Sequence, residues 1–313
     1  MSDVNQIRTI YKLQNPAWVD KIIQDNLGII SNSVQHEDEL PQMTFDKSTV
    51  TVHEYGCGKM GCVIPTFDNS KVFKITSDDS EVRFILAAMS LGEWPEGMIQ
   101  YYRVVKLRGQ YKQRQVYGIW RENCPDAGAL EKKEISKYTK NELMLHVLFN
   151  LFFEYGNTVI GFVFDSVNDK QLNEYFQQVH NFYPKAQQEI NRVWEKVSLH
   201  EERPDEIDYL IYPKGKSTPK NAPIEQKIKR TAYAFACCVN VAKQIESIPE
   251  YTPIGHALLF YLKRNIIIND LHFGNIGEIY RKEHGKKIWA ITDPGIVVFL
   301  TPKYFPLFAK YDL

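Results

Sequence analysis

The chain has 313 residues, 44% of them hydrophobic, which is enough apolar material for one large domain or two smaller units. Lysine plus arginine equals aspartate plus glutamate at 38 each, so the overall charge argues against nucleic-acid or membrane partners. No apolar run approaches a membrane span, and the N-terminus lacks the layout of a signal peptide. Five cysteines, an odd number without framework or zinc-site spacing, favour a reducing compartment, so we expect a cytoplasmic protein.

Residues 1–45 are predicted to form a helical extension. Asn15 and Pro16 suit a helix start. The apolar residues that follow fall on one helical face: Trp18, Ile22, Ile23 and Leu27. We expect this face to pack on the region that follows, with the polar stretch 31–40 as a linker.

Residues 46–123 are predicted to be rich in β-strands, at 49–55, 62–67 and 72–75. A glycine pattern, G-x-G-x-x-G-x-V, joins the first two strands and consists of Gly56, Gly58, Gly61 and Val63. Glycine lets backbone amides approach phosphate oxygens closely. A Rossmann turn would need a helix after the loop, so a phosphate-binding hairpin is the favoured interpretation.

Lys74 lies among apolar residues of the third strand, where a lysine must reach the sheet edge or find an anion. A helix is predicted from Ser77 or Asp78 to about residue 91. Glu81, in its first turn, is the predicted partner of Lys74, and Glu93 is the reserve. The alternative is that the Glu81 carboxylate only interacts favourably with the dipole at the N-terminus of the helix. Two further strands, at 99–107 and 114–121, are predicted to join near Gly109.

A helical block follows. Thr139 and Glu142 have the spacing of a capping box, and the apolar stripe after them is predicted to end at Gly156. Further helices are predicted at 184–198, 224–248 and 252–264. The lysine-bearing stretch 212–223 is predicted to be an exposed loop.

Two carboxylates and an amide each follow a strand-like run near the end of the chain. Asp270, His272 and Asn275 come after the apolar run 266–268, and a hairpin over 276–292 leads to Asp293. Each aspartate alone could merely cap a turn. Together, as oxygen ligands, they suit magnesium and phosphate.

This ordered set resembles the protein-kinase-like phosphotransferases, through D-L-H-x-x-N and D-P-G preceded by the glycine pattern and the strand lysine. The match covers about 49–123 and 254–300. It is closest to the compact bacteriophage Ser/Thr protein kinases and is also similar to aminoglycoside and choline kinases. The resemblance implies an α+β bilobal fold. Its small antiparallel β-sheet N-lobe would span 46–123, with a hinge near adenine at 120–124, and its mostly helical, C-terminally shortened C-lobe would span 124–313.

The resemblance also implies roles. Gly56, Gly58, Gly61 and Val63 would cover ATP. Lys74 would hold its α and β phosphates and pair with Glu81, while Asp270 would orient the acceptor hydroxyl and accept its proton. Asn275 and Asp293 would ligate Mg²⁺, and His272 could simply pack the loop.

Three departures from the family pattern stand out. Ile268 replaces the histidine of H-R-D, which removes one brace of the loop, and Pro294 replaces the phenylalanine of D-F-G, which stiffens the backbone. The chain ends soon after Gly295, so no activation segment is expected. We therefore expect activity without an upstream kinase, with Ser217 and Thr218 as incidental phosphorylation sites.

The leading expectation is ATP-dependent phosphoryl transfer to Ser or Thr of a protein, in the bacterial host cytoplasm if a phage encodes the chain. A small-molecule kinase of the aminoglycoside or choline type is the first alternative. A catalytically weak binding module with a kinase fold is the second.

Overall fold

The computed structural model describes residues 17–35, 61–65, 71–160, 168–199 and 222–300. These residues form an α+β protein with six α-helices and small antiparallel sheets. They divide into two compact units, the first reaching Trp94 and resuming over Ile99–Asn123, the second comprising Pro95–Met98 and residues from Cys124 onward. None of the helices in these ranges is long and apolar enough to span a membrane. The predictions for strand 49–55, Gly56, Gly58 and the lysine-bearing loop lie outside the described residues.

The first unit is a four-stranded antiparallel sheet with two helices. Its elements are α1 (Ala17–Gln35), β1 (Gly61–Pro65), β2 (Lys71–Thr76), α2 (Asp79–Ser90), β3 (Tyr101–Tyr111) and β4 (Arg114–Glu122). The strand order is β1-β2-β4-β3, which makes β2 an interior strand. Interior strands are desolvated on both edges, and five of the six residues of β2 are accordingly buried.

Helix α2 begins where the sequence predicted. The Asp78 carboxylate accepts a hydrogen bond from the Ser80 amide at 2.9 Å, which caps the first turn. Val82 and Ile85 are fully buried, as expected for the apolar face. Met89 was expected on that face too, but it is 39% exposed because it lies in the final turn of the helix.

Helix α1 packs on the sheet, which confirms the expectation for the N-terminal helix. Val19, Ile22 and Ile30 share one core cluster with Ile75 and Trp120 of the strands. Helix α1 extends through Gln35, into the stretch predicted to be a linker, so the linker prediction is wrong there.

The two antiparallel strands predicted to join near Gly109 are present, but the turn lies a few residues beyond that glycine. The β3–β4 hairpin turns at Lys112 and Gln113, which both have positive φ angles. Gly109 instead occupies a strand irregularity with φ +105°, and a Cβ there would lie 2.6 Å from Ile22 Cδ1. The positive φ angle at residue 109 favours glycine, whereas Ile22 Cδ1 is the end of a flexible side chain that can shift to make room.

The second unit is mainly helical and contains two short two-stranded sheets. Its elements are α3 (Lys140–Ile160), α4 (Asp169–Leu199), α5 (Ile224–Glu246), α6 (Thr252–Leu262), β5 (Ile266–Ile268), β6 (Ile276–Arg281), β7 (Lys286–Ile291) and β8 (Val297–Phe299). Strand β5 pairs with β8, and β6 pairs with β7. A 3₁₀ turn, Phe273–Asn275, precedes β6.

The predicted capping box at the start of α3 is confirmed. The Thr139 amide donates to the Glu142 carboxylate at 2.7 Å, and the Glu142 amide donates to Thr139 Oγ1 at 3.2 Å. Gly156 does not end this helix, which continues to Ile160. A close contact accounts for the glycine, since a Cβ at 156 would lie 1.6 Å from Asn269 Oδ1.

The predicted start of α4 at Pro184 is wrong, because Pro184 lies inside the helix. The helix begins at Asp169, where Asn168 and Gln171 exchange amide and side-chain hydrogen bonds at 3.0 and 3.1 Å. Proline removes one amide donor but is tolerated inside a helix held by packing. Here Ile190 and Val193 are buried and the helix lies against α5.

The cysteines agree only partly with expectation. Cys237 and Cys238 are free thiols buried on α5, and desolvation raises the pKa of Cys237 to about 12. Cys62 on β1 is disulfide-bonded, which the odd cysteine count did not predict. Cysteine usage therefore gives no support for a reducing compartment.

Candidate functional site

In the first unit, Lys74 lies at the centre of the sheet. Its register partners are Val63 on β1 and Ile119 on β4. Residues directly opposite one another in antiparallel strands present their side chains on one face, so Val63, Lys74 and Ile119 share a face. Lys74 is only 8% exposed. A lysine ammonium so desolvated needs a negatively charged partner.

Glu81 supplies that partner. Lys74 Nζ donates a hydrogen bond to Glu81 Oε1 at 2.8 Å, and Glu81 is 1% exposed. The structure thus brings together the first-choice pair, whereas Glu93 lies beyond the end of α2. Lys74 on the strand and Glu81 in the first turn of the helix are only seven positions apart. The helix cap at Asp78 therefore determines where the Glu81 carboxylate lies.

Gly61 and Val63 are the members of the glycine pattern that the structure describes. A Cβ on Gly61 would lie 2.4 Å from the Ile75 carbonyl oxygen, so β1 can pair with β2 only if this residue is glycine. Sheet packing is therefore sufficient to explain Gly61. Its contact with phosphate stays a prediction.

In the second unit, the pairing of β5 with β8 brings the two aspartate-bearing segments side by side. The ladder is extended by a hydrogen bond from the Asn269 amide to the Ile296 carbonyl at 2.7 Å. Gly295 has φ +53°, and a Cβ there would lie 2.1 Å from Asp270 Cβ. The glycine of D-P-G is thus needed for its backbone angle and for its approach to Asp270.

Asn275 connects Asp270 to the β6–β7 hairpin. Its Nδ2 donates to the Asp270 carbonyl at 2.8 Å, and its own carbonyl accepts from the Thr292 amide at 2.8 Å. Asp293 follows directly, and its Oδ1 accepts from the Gly295 amide at 3.1 Å. The structure therefore brings the segments of Asp270, Asn275 and Asp293 together, and Asn275 contributes to this contact by donating through its side-chain Nδ2.

Aromatic packing anchors the loop between Asp270 and Asn275. Phe273 is 4% exposed, and its ring centroid lies 5.2 Å from Tyr138 and 6.2 Å from Phe149. Burial raises the pKa of Tyr138, and the nearby carboxylates of Glu142 and Glu131 raise it further. The loop is thus fixed by a buried ring.

His272 caps the 3₁₀ turn, as expected for a loop-packing role. Its Nδ1 accepts a hydrogen bond from the Gly274 amide at 3.0 Å, which places the proton of the neutral ring on Nε2. That nitrogen lies 4.0 Å from Asp270 Oδ1, and Nδ1 lies 3.6 Å from Glu131 Oε1.

Sequence reasoning missed the roles of three residues: Glu131, which contacts this loop, Asn269, which precedes it, and Gly156, which contacts Asn269. Glu131 is 62% exposed and belongs to no recognisable sequence motif. It is distant in sequence from His272 and Gly274 and comes close to them only in the folded chain. Asn269 did give a signal. It is a polar residue between an apolar strand and Asp270, and a polar group buried there must be satisfied by another element.

The residues proposed as a hinge, 120–124, include a core side chain. Trp120 is 2% exposed within β4, which continues to Glu122. The division between the two compact units falls after Asn123. Contact of this segment with adenine stays a prediction.

Within the described part of the chain, no three His, Cys, Asp or Glu side chains form a cluster suited to a metal ion. No family model, no curated protein and no solved structure matches this chain.

Proposed function

We propose that this chain is an ATP-dependent phosphotransferase with a bilobal protein-kinase-like fold, acting on Ser or Thr hydroxyls of a protein. The observation that carries the proposal is the convergence of Asp270, Asn275 and Asp293 through the β5–β8 and β6–β7 pairings. Turn-capping aspartates need no such convergence, whereas phosphoryl transfer requires a base and metal ligands close together. The buried pair of Lys74 and Glu81 supports it independently.

Lys74 is assigned to the phosphates of ATP. Its pairing with Glu81 fixes the ammonium group, and Lys74 retains a small exposed fraction of 8%. A pre-positioned cation stabilises the negative charge on the transferring phosphoryl group without reorganisation at the moment of reaction. The counter-charge of Glu81 makes burial of the lysine tolerable before the nucleotide binds.

Asp270 is assigned to the acceptor hydroxyl. Its side chain is 39% exposed, so a substrate can reach it. The hydroxyl oxygen forms a bond to the γ-phosphorus of ATP as the bond to the ADP oxygen breaks, and Asp270 takes the hydroxyl proton. Contacts at Gly295 and at Asn275 hold the Asp270 segment in place.

Asn275 and Asp293 are assigned to magnesium. One carboxylate and one amide oxygen fit this ion, which is commonly held by one or two protein ligands and completed by phosphate and water. Magnesium would supply charge neutralisation on the phosphates. The Asp293–Gly295 hydrogen bond and the Asn275–Asp270 hydrogen bond orient the two ligand side chains in advance.

The test is transfer of label from [γ-³²P]ATP by the purified protein with magnesium. Asp270→Asn and Asp293→Asn are expected to abolish transfer while leaving the fold intact, because each keeps its shape and loses a charge. Asp126→Asn is the matched control, since that carboxylate is exposed and its ion pair among the described residues is with Lys287, at 2.9 Å. Wild-type transfer by the Asp293 variant would contradict the assignment.

A small-molecule acceptor is the second candidate, and Glu131 favours it. This exposed carboxylate lies 3.6 Å from His272, beside the loop that carries Asp270, where it could attract an ammonium group. Comparing phosphopeptides from cells with and without the active chain separates the candidates. New phosphoserine or phosphothreonine sites that disappear with Asp270→Asn support a protein substrate, and their absence supports the small molecule.

A further inference from the structure

We propose that Asn269 is the positioning residue for Asp270, and that it acts by locking the loop onto helix α3. The inference rests on the proposed function, in which Asp270 receives the acceptor proton. Asn269 is fully buried, at 0% exposure, and it immediately precedes Asp270. Its side chain and its backbone are held by different elements.

The side chain is held by α3. Asn269 Nδ2 donates a hydrogen bond to Asn157 Oδ1 at 3.0 Å. Its Oδ1 has no hydrogen-bond partner among the described residues, and it faces Gly156 so closely that a Cβ there would lie 1.6 Å away. The hydrogen that glycine carries in place of Cβ therefore points at Oδ1, a weak C–H···O contact.

The backbone is held by the strand after D-P-G. The Asn269 amide donates to the Ile296 carbonyl at 2.7 Å, one step beyond the last β5–β8 pair. One residue thus ties the Asp270 segment to α3 through its side chain and to the Asp293 segment through its backbone. This arrangement supplies a brace in a chain where Ile268 replaces the histidine of H-R-D.

The brace explains why the glycine lies inside a helix. Glycine weakens a helix interior relative to alanine, so its presence in α3 needs another reason. The pocket for the Asn269 amide supplies it, because every other side chain at 156 would displace that amide. Gly156 and Asn269 should therefore behave as one unit in mutagenesis.

The first test measures the kcat and KM of Mg·ATP hydrolysis together with thermal unfolding. Asn269→Ala is expected to lower kcat about 100-fold, the cost of a small misplacement of a catalytic group, with KM for Mg·ATP within about twofold. Asn157→Ala removes only the hydrogen bond, from an exposed residue, and should lower kcat in the same direction. Asn240→Ala, which removes a buried amide bonded to α5 and α4 carbonyls, should lower the unfolding midpoint and leave kcat unchanged.

The second test separates positioning from packing. Gly156→Ala should lower both the unfolding midpoint and kcat. Combining it with Asn269→Ala removes the clash, so the midpoint should recover while kcat stays low. Recovery of kcat in the double variant, or a wild-type kcat in Asn269→Ala, would overturn the proposal.

Hydrogen exchange distinguishes failure of this proposal from failure of the proposed function. If wild-type protein neither binds nor hydrolyses Mg·ATP, the phosphotransferase assignment fails. Amide exchange over residues 270–275 then decides the brace on its own. Faster exchange in Asn269→Ala than in Asn240→Ala supports the brace, and equal rates in the two variants refute it.

Discussion

Breaking the Lys74–Glu81 pair should lower both the free energy of unfolding and the proposed phosphoryl transfer, and a double variant can distinguish the two losses. Lys74→Met keeps most of the side-chain volume but leaves the Glu81 carboxylate, 1% exposed, without its ammonium partner. Removing one member of a buried pair costs about 3–5 kcal/mol, a large part of the roughly 5–15 kcal/mol that stabilises a typical domain. Replacing both members with apolar residues of similar size is often neutral. Lys74→Met with Glu81→Leu should therefore recover most of the lost stability and none of the phosphoryl transfer.

The assay is urea unfolding followed by far-UV circular dichroism, alongside label transfer from ATP. Lys133→Met is the control, because its 2.6 Å contact with Glu142 involves a lysine that is 31% exposed. Partly exposed pairs contribute about 1 kcal/mol or less. A double variant as unstable as Lys74→Met would show that the pair is not the source of the loss. A double variant that still transfers phosphate would refute the assignment of Lys74.

Three further outcomes follow from the structure. Burial alone would raise the pKa of Glu142, but its contacts with Lys133 and Thr139 lower that pKa overall. The ionised Glu142 therefore contributes its full stabilisation of the folded state above the ordinary pKa of 4.5. That contribution is lost as the pH falls through the lowered pKa of the folded state. Glu142→Gln should therefore flatten the acid limb of a stability-against-pH curve measured by thermal unfolding. Gly28→Ala, at an open helical position, should raise the free energy of unfolding by about 0.5–1 kcal/mol in urea titrations. Iodoacetamide at pH 8 should label Cys124 well before Cys237, as peptide mapping would show. Cys237 is buried, and its pKa of about 12 keeps it in the unreactive thiol form.

Local signals in the sequence were sufficient for much of the fold. The capping box at Thr139 and Glu142 and the helix start at Asp78 are short-range patterns, and each is present in the structure. The Lys74–Glu81 contact followed from the same reasoning, because a strand end and a capped helix fix where both side chains fall. The errors occurred where tertiary contacts decide, as at Pro184, which lies inside a helix held by packing.

Glycine shows the limit most clearly. Gly109 and Gly156 were interpreted as a turn and a helix end, which is their commonest local meaning. Gly109 is instead favoured by its positive φ angle inside the strand, and Gly156 is required by the close approach of Asn269, which is distant in sequence. A single sequence contains no sign of the atom that approaches a glycine from another element. The polar Asn269 after an apolar strand does indicate a buried partner, but the sequence does not say which residue that partner is, so the brace was missed.

The sequence separation of the contacts has a consequence for folding. Lys74 and Glu81 are seven positions apart, and the segment from Asn265 to Leu300 closes on itself through the Leu300 amide and the Asn265 carbonyl. The Asn269–Asn157 hydrogen bond, by contrast, spans 112 positions. Contacts of low sequence separation form fast, and those that close long loops form slowly. During refolding we therefore expect the local groups to form first, and the proposed phosphoryl transfer to appear only with the slow docking of α3.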